Sequence, residues 1–186
     1  EAGEIETLGL HFGERSYDFA QIHERKNTVT AQLRDGIAQL LKANQVDVYQ
    51  AAGQIIDAHT VQAGDDALTA QYILIAAGSV PAVPPISGAD LPSVVTSDAM
   101  LEAQGVDCNN LLIIGGGVIG VEMASIYASL GKQVTIVEAA ERILPPLDRE
   151  ISQNLSMILK KRGVEIYTSA LVSAISQTEN GLACHF

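Results

Sequence analysis

Basic residues are scarce in this chain. Eleven Lys and Arg stand against 22 Asp and Glu, a formal net charge of −11. That balance argues against a nucleic-acid partner, which needs clustered Lys and Arg to neutralise phosphates. Cysteine is almost missing: the two present, Cys108 and Cys184, lie too far apart for a C-x-x-C redox or metal motif. Both read as free thiols in a reducing compartment, so a cytoplasmic location is expected. The four histidines are scattered and suggest no metal centre. No apolar run is long enough to span a membrane. The opening Glu-Ala-Gly-Glu-Ile-Glu is acidic and lacks an apolar core, so no signal peptide is expected. What remains is apolar. Hydrophobic residues make up 47% of 186, enough for a real core in one or two domains.

The most informative stretch is 111–120, Leu-Leu-Ile-Ile-Gly-Gly-Gly-Val-Ile-Gly. Four β-prone apolar residues, 111–114, predict a short strand buried on both faces. Gly115, Gly117 and Gly120 then fall in G-x-G-x-x-G spacing. The first makes a tight turn, the second lets backbone approach a pyrophosphate, and the third lets a helix pack closely on the strand. The helix is expected from about Val118 to Leu130, with its unpaired N–H groups aimed at the phosphates. Small Ala124 and Ala128 can lie against a sheet, and Gly131 fits a left-handed cap. A second strand is expected over 133–138. It ends in Glu138, 18 residues past Gly120, where the dinucleotide fold places a carboxylate for the ribose hydroxyls. Glycine-rich turns are common alone; the strand, helix, strand and acid around this one make it specific. The competing reading is a plain βαβ unit with Glu138 a solvated strand end.

In chain order, Leu8, Leu10 and Phe12 alternate as a short strand would. The longest helical pattern covers 18–43. Asp18 with Gln21 can form a capping box, and Ile22, Val29, Leu33, Ile37, Leu40 and Leu41 recur at helical steps. Such a stripe is a core face or subunit contact. Gly36 is a weak point, costing about 1 kcal/mol against Ala, and Asn44 is a stop. The period then switches to strand, with short runs at 46–49, 55–56, 60–62, 67–69 and 72–76. Gly64-Asp65-Asp66 is a hairpin turn, and Gly53 suggests a bulge or close backbone approach. The 72–76 run, Tyr-Ile-Leu-Ile-Ala, has a buried strand's composition. Pro81, Pro84, Pro85 and Pro92 mark an extended connector. Ser97 can cap a short helix over 98–104. Downstream, Pro145-Pro146 breaks the chain and Asp148 can cap an amphipathic helix that Gly163 stops. Strands are expected at 164–167, 171–175 and 182–186, the last two joined by Thr178-Glu179-Asn180-Gly181, whose Asn-Gly is a hairpin signal. The sequence breaks off in mid-sheet.

Ile75-Ala76-Ala77-Gly78-Ser79-Val80-Pro81, followed by Gly115-Gly116-Gly117-Val118-Ile119-Gly120-Val121-Glu122, resembles the flavin-dependent pyridine nucleotide–disulfide oxidoreductases. Val137-Glu138 and Arg142-Ile143-Leu144-Pro145 extend the likeness over essentially the whole chain. It is nearest the dihydrolipoamide dehydrogenases of class I. The resemblance implies an α/β fold in two parts. Residues 1–80 would be the helix and β-meander part of an FAD-binding domain, and 81–186 an incomplete Rossmann-like NAD-binding βαβ domain. It further implies that Gly53, Gly78 and Ser79 lie near FAD. Gly115, Gly116, Gly117, Val118 and Ile119 would cradle the NAD pyrophosphate, with Leu171 near the adenine. Glu122 would sit by the nicotinamide, and its plainer role is a carboxylate near a helix start. Ser79 could equally be a turn residue before Pro81. The family passes electrons among NAD, FAD, a redox disulfide and dihydrolipoamide, works as a homodimer, and acts on a lipoyl-bearing protein or small disulfide.

The family's FAD glycine fingerprint, its Cys-x-x-x-x-Cys pair, its later Gly-Asp motif and its C-terminal dimerisation domain with a His–Glu base are not in this sequence. The expectation is an internal fragment, without catalytic residues and inactive alone. Two other readings stay open: another disulfide or mercuric reductase of the superfamily, separable by the cysteine region, and a non-catalytic nucleotide-binding module. Bound flavin with thiol-dependent NADH oxidation would exclude the module.

Overall fold

The computed structural model describes residues 16–102 and 105–186; the alternating Leu8, Leu10 and Phe12, and the expected helix end at Gln104, lie outside them. The chain divides into two compact units, Glu24–Val80 and the sequence on either side of it.

Helix α1 (Phe19–Ala43) starts where the Asp18 carboxylate accepts the Gln21 amide at 3.1 Å, satisfying one of the donors that every helix start leaves bare. It stops at a Schellman closure. Val46 N–H bonds to Leu41 C=O at 3.0 Å and Gln45 N–H to Lys42 C=O at 3.1 Å, with Gln45 itself at φ 58°. The stripe of Val29, Leu33, Ile37 and Leu40 is exposed. In the Glu24–Val80 unit this helix is followed by an antiparallel sheet in the order β1 (Gly53–Ile55), β2 (Thr60–Ala63), β3 (Asp66–Thr69). Gly64, at φ 63°, turns β2 into β3, as its sequence suggested.

Three expectations fail in this unit. Residues 46–49 and 72–76 form no strand, and Leu74 is 91% exposed. A strand exists only through a neighbour's ladder, and these runs have none among the described residues. Gly53 carries no bulge: it opens β1 in regular register with Ala63, and a Cβ there would meet Val61 at an ordinary 3.7 Å.

The other unit is built on a parallel sheet in the order β4 (Asn110–Ile114), β5 (Gln133–Val137), β6 (Glu165–Tyr167). Helix α3 (Val118–Ser129) links β4 to β5, and α4 (Arg149–Lys161) links β5 to β6. Both contribute to one buried core with β5, since right-handed crossovers in sequence put their helices on the same face. Val121, Ala124 and Tyr127 of α3 meet Val134 and Ile136 of β5, Leu159 of α4 and the preceding Ile143. Gly131 (φ 79°) and Gly163 (φ 87°) end the two helices in left-handed caps, and Lys132 N–H to Tyr127 C=O and Val164 N–H to Leu159 C=O complete them.

Strand β4 departs from its expected burial on both faces. Leu111 and Ile113 pack on the core, whereas Leu112 and Ile114 remain 40% and 39% exposed. In the described sheet it is an edge strand with a helix on one side, so only alternate residues are covered. On the opposite side of β5, Val137 joins a second cluster with Val172 and Ile175, padded by Ile86, Leu91 and Val94. That cluster ties in a hairpin, β7 (Ala174–Thr178) and β8 (Gly181–His185), turning through Glu179 and Asn180 inside the expected 178–181 stretch. The connector is pinned to the hairpin by Ile175 N–H to Ser87 C=O at 2.7 Å. At Gly88 (φ 82°) a Cβ would stand 2.0 Å from the Ile175 carbonyl oxygen, so the crossing requires glycine. Helix α2 (Ser97–Leu101) has Thr96, not Ser97, at its N-cap, and its C-cap is Glu102.

Candidate functional site

The junction of β4 and α3 gives three of its glycines different jobs. Gly115 sits at φ 107°, a backbone closed to side-chain-bearing residues, and its N–H reaches Val137 C=O at 2.8 Å. At Gly120 a Cβ would stand 2.1 Å from the Gly115 carbonyl oxygen and 3.2 Å from Ile113 Cγ2. The absence of that atom is what lets α3 approach β4. Gly117 is the N-cap of α3, extended at φ −71° and ψ −177°, and a Cβ there would meet nothing within 4 Å. Open space therefore lies in front of a helix N-terminus, whose free amides and dipole favour an anion. Val118 and Ile119 open the helix with exposed side chains.

Gly116 is clamped from both sides. Its N–H donates to Glu138 Oε2 at 2.6 Å, and its carbonyl accepts Leu144 N–H at 2.7 Å. A Cβ on Gly116 would lie 2.7 Å from Ile143 Cγ2. Glu138, the first residue after β5, also accepts Ala140 N–H at Oε1, 2.7 Å away. Each oxygen thus has one backbone donor, and a carboxylate retains acceptor capacity beyond two bonds. The side chain is fixed next to the glycine loop with room for hydroxyl donors.

The support behind Gly116 escaped the sequence reading. Leu144 is buried and holds φ 50°, a region costly for leucine by about 1–3 kcal/mol. That conformation aims its N–H at Gly116, while Ser152 Oγ, 1% exposed, donates to the Leu144 carbonyl at 3.2 Å. Nothing in Leu144 itself signals a left-handed backbone. Its only clue is the Arg-Ile-Leu-Pro run just past the acidic strand end.

The structure brings Gly115, Gly116, Gly117, Val118, Ile119, Gly120 and Glu138 together. Glu122 lies one turn along α3, exposed, and its side chain has no hydrogen bond or ion pair to a described residue. Leu171 is 75% exposed and outside both cores. In the other unit, Gly78 is at φ 74° with open space around it, and no hydrogen bond links Gly53 to Gly78 or Ser79. Cys108 and Cys184 are unpaired and half-buried. Among the described residues no group of three or more His, Cys, Asp or Glu could hold a metal ion, and no helix is long and apolar enough to cross a membrane.

The pattern of the family described as pyridine nucleotide-disulphide oxidoreductase matches residues 5–185. A dihydrolipoyl dehydrogenase of Acholeplasma laidlawii is 40% identical over 167 residues, 88% of this chain and 49% of its own. One from Bacillus subtilis (strain 168) is 34% identical over 191 residues, covering 96% and 40%. Among solved structures, the HOCl-induced flavoprotein disulfide reductase RclA from Escherichia coli superimposes with a TM-score of 0.78 at 36% identity, covering 91% of this chain and 39% of its own. The chain spans half or less of the length of these relatives. The glycine loop, Glu138 at the end of the next strand, the α/β fold around them and these matches agree: the chain belongs to the pyridine nucleotide-disulphide oxidoreductase family.

Proposed function

We propose that this chain is the nucleotide-handling part of an NAD-dependent flavoprotein of the dihydrolipoyl dehydrogenase kind. The observation that carries the reading is the pairing of an open helix N-terminus at Gly117 with a carboxylate held beside it at Glu138. The Gly117, Val118 and Ile119 amides would hold the pyrophosphate, and Glu138 the ribose hydroxyls. Gly115 and Gly120 shape the loop. Glu122 would border the nicotinamide and Leu171 the adenine. Residues 1–80 would belong to the FAD-binding part, through Gly53, Gly78 and Ser79, and 81–186 to the NAD-binding domain. When bound, the two cofactors supply hydride transfer and its relay to a disulfide. This chain's own work is to bind and orient.

The substrate would be a lipoyl-bearing protein or small disulfide, the assembly a homodimer and the location cytoplasmic. Alone, the 186 residues would reduce nothing, because the family's Cys-x-x-x-x-Cys pair and FAD glycine fingerprint are not among them. A second reading, a disulfide reductase like RclA, draws support from the 36% identity with that protein. Full-length protein assayed with NADH against lipoamide and against other disulfides separates the two readings. The site itself is tested by Gly117→Ala. The added methyl fills the open space without backbone strain, so melting should hold while nucleotide affinity falls at least about tenfold, roughly 1.4 kcal/mol. Unchanged affinity would sink the assignment.

A further inference from the structure

Between α4, Ile166 and Thr168 at β6, and the 141–143 loop lies a groove of about 610 Å³. Arg142, Arg149, Lys160 and Lys161 line it, four of the eleven basic residues in a chain of net charge −11. Glu141 is the one acid in its lining. Arg149, Lys160 and Lys161 form no ion pair with any described residue. Arg142 gives one guanidinium N–H to Pro145 C=O at 2.9 Å, while its buried Nε has no partner. The apolar lining is Ile143, Met157 and Ile166. In the described sheet β6 pairs with β5 alone, so one rail of its backbone groups has no strand beside it.

The spread of charge decides what fits. Arg149 and Lys160 stand at opposite ends of α4, roughly 17 Å apart at about 1.5 Å per residue. A single phosphate needs donors converging on a point. A row of that length instead matches about five residues of extended polypeptide, at about 3.3 Å each. An open strand edge, an apolar floor and a basic wall are the elements of strand-addition recognition, in which main-chain bonds give affinity and alternate side chains give specificity. We propose that this groove docks an extended acidic segment of a partner protein, added alongside β6 with its carboxylates turned toward α4 onto Arg149, Lys160 and Lys161 and its alternate residues on the opposite face.

The test uses the full-length protein and a fluorescein-labelled peptide, (Glu-Val)₄, followed by anisotropy. Binding should weaken as salt rises and fall at least about tenfold in the K160Q/K161Q double variant, whose melt is recorded alongside to show that it is folded. A peptide N-methylated at alternate backbone nitrogens should lose binding likewise, because it cannot extend the ladder. Absent binding, an unaffected double variant or an equally tight N-methylated peptide would each overturn the proposal. So would displacement of the peptide by an equal concentration of pyrophosphate, or tighter binding of single-stranded oligo-dT at the same groove.

Discussion

The Gly116 amide donates to Oε2 of Glu138 at 2.6 Å, so the turn that would face the phosphates and the acid that would face the ribose are one mechanical unit. A change in either is felt by the other.

Cofactor choice follows from that carboxylate. Glu138 accepts hydroxyls but repels a 2′-phosphate, and Glu141 adds negative charge beyond it. NADH should be preferred over NADPH at least about tenfold, near 1.4 kcal/mol. Kinetics of the full-length protein with the two nucleotides measure this, and Glu138→Gln should shrink the ratio. Equal use of both by the unaltered protein would show that Glu138 does not face the ribose.

Gly120→Ala should behave unlike Gly117→Ala. Its methyl would stand 2.1 Å from the Gly115 carbonyl oxygen, where backbone must move, at about 1–3 kcal/mol of overpacking. Thermal melts of the two variants should diverge, with only the Gly120 variant losing stability.

Ser152→Ala removes the hydroxyl that holds the Leu144 carbonyl. The loss should be on the order of 0.5–1.5 kcal/mol, with weaker nucleotide binding because Leu144 then holds Gly116 less firmly. A melt together with a nucleotide titration reports both.

The corner near Asp107 should loosen in alkali. Burial raises the Cys108 thiol and the Tyr127 phenol above their ordinary values of 9.0 and 10.0, and Asp107, bonded at 2.7 Å, raises Lys132. All three hold their protons more tightly folded than unfolded. Their contribution is therefore complete below about pH 9 and is lost as pH climbs through the raised folded values. Melting temperature should fall from pH 9 to 11, less steeply in Cys108→Ala.

The chain as given should self-associate, since Tyr72 and Leu74 are 82% and 91% exposed on an apolar stretch with β composition. Light scattering should grow with concentration, and Leu74→Lys should suppress it.

Local chemistry explains which features were legible. The 118–130 helix, its Gly131 cap, the strand ending at Glu138 and the Gly64 turn each follow from near neighbours, and each lies within a residue or so of its expected place. The misses were nonlocal. Whether 72–76 is a strand depends on a neighbour to pair with, and whether Leu112 is buried depends on what covers that face of β4. Leu144 was hidden for another reason: its backbone is imposed by bonds to Gly116 and Ser152, 28 residues before it and 8 after. The nucleotide loop was readable, but the brace behind it was not.

The hydrogen bond from Ile175 to Ser87 has a bearing on biosynthesis. Its two ends are 88 residues apart, so at about 5–20 residues per second the ribosome delivers the second end roughly 4–18 s after the first. During that interval the proline connector has no anchor, and the apolar Ile86, Leu91 and Val94 await Val172 and Ile175. The nascent chain is then most exposed to chaperones and proteases, and slowing translation between codons 90 and 175 would lengthen its risk.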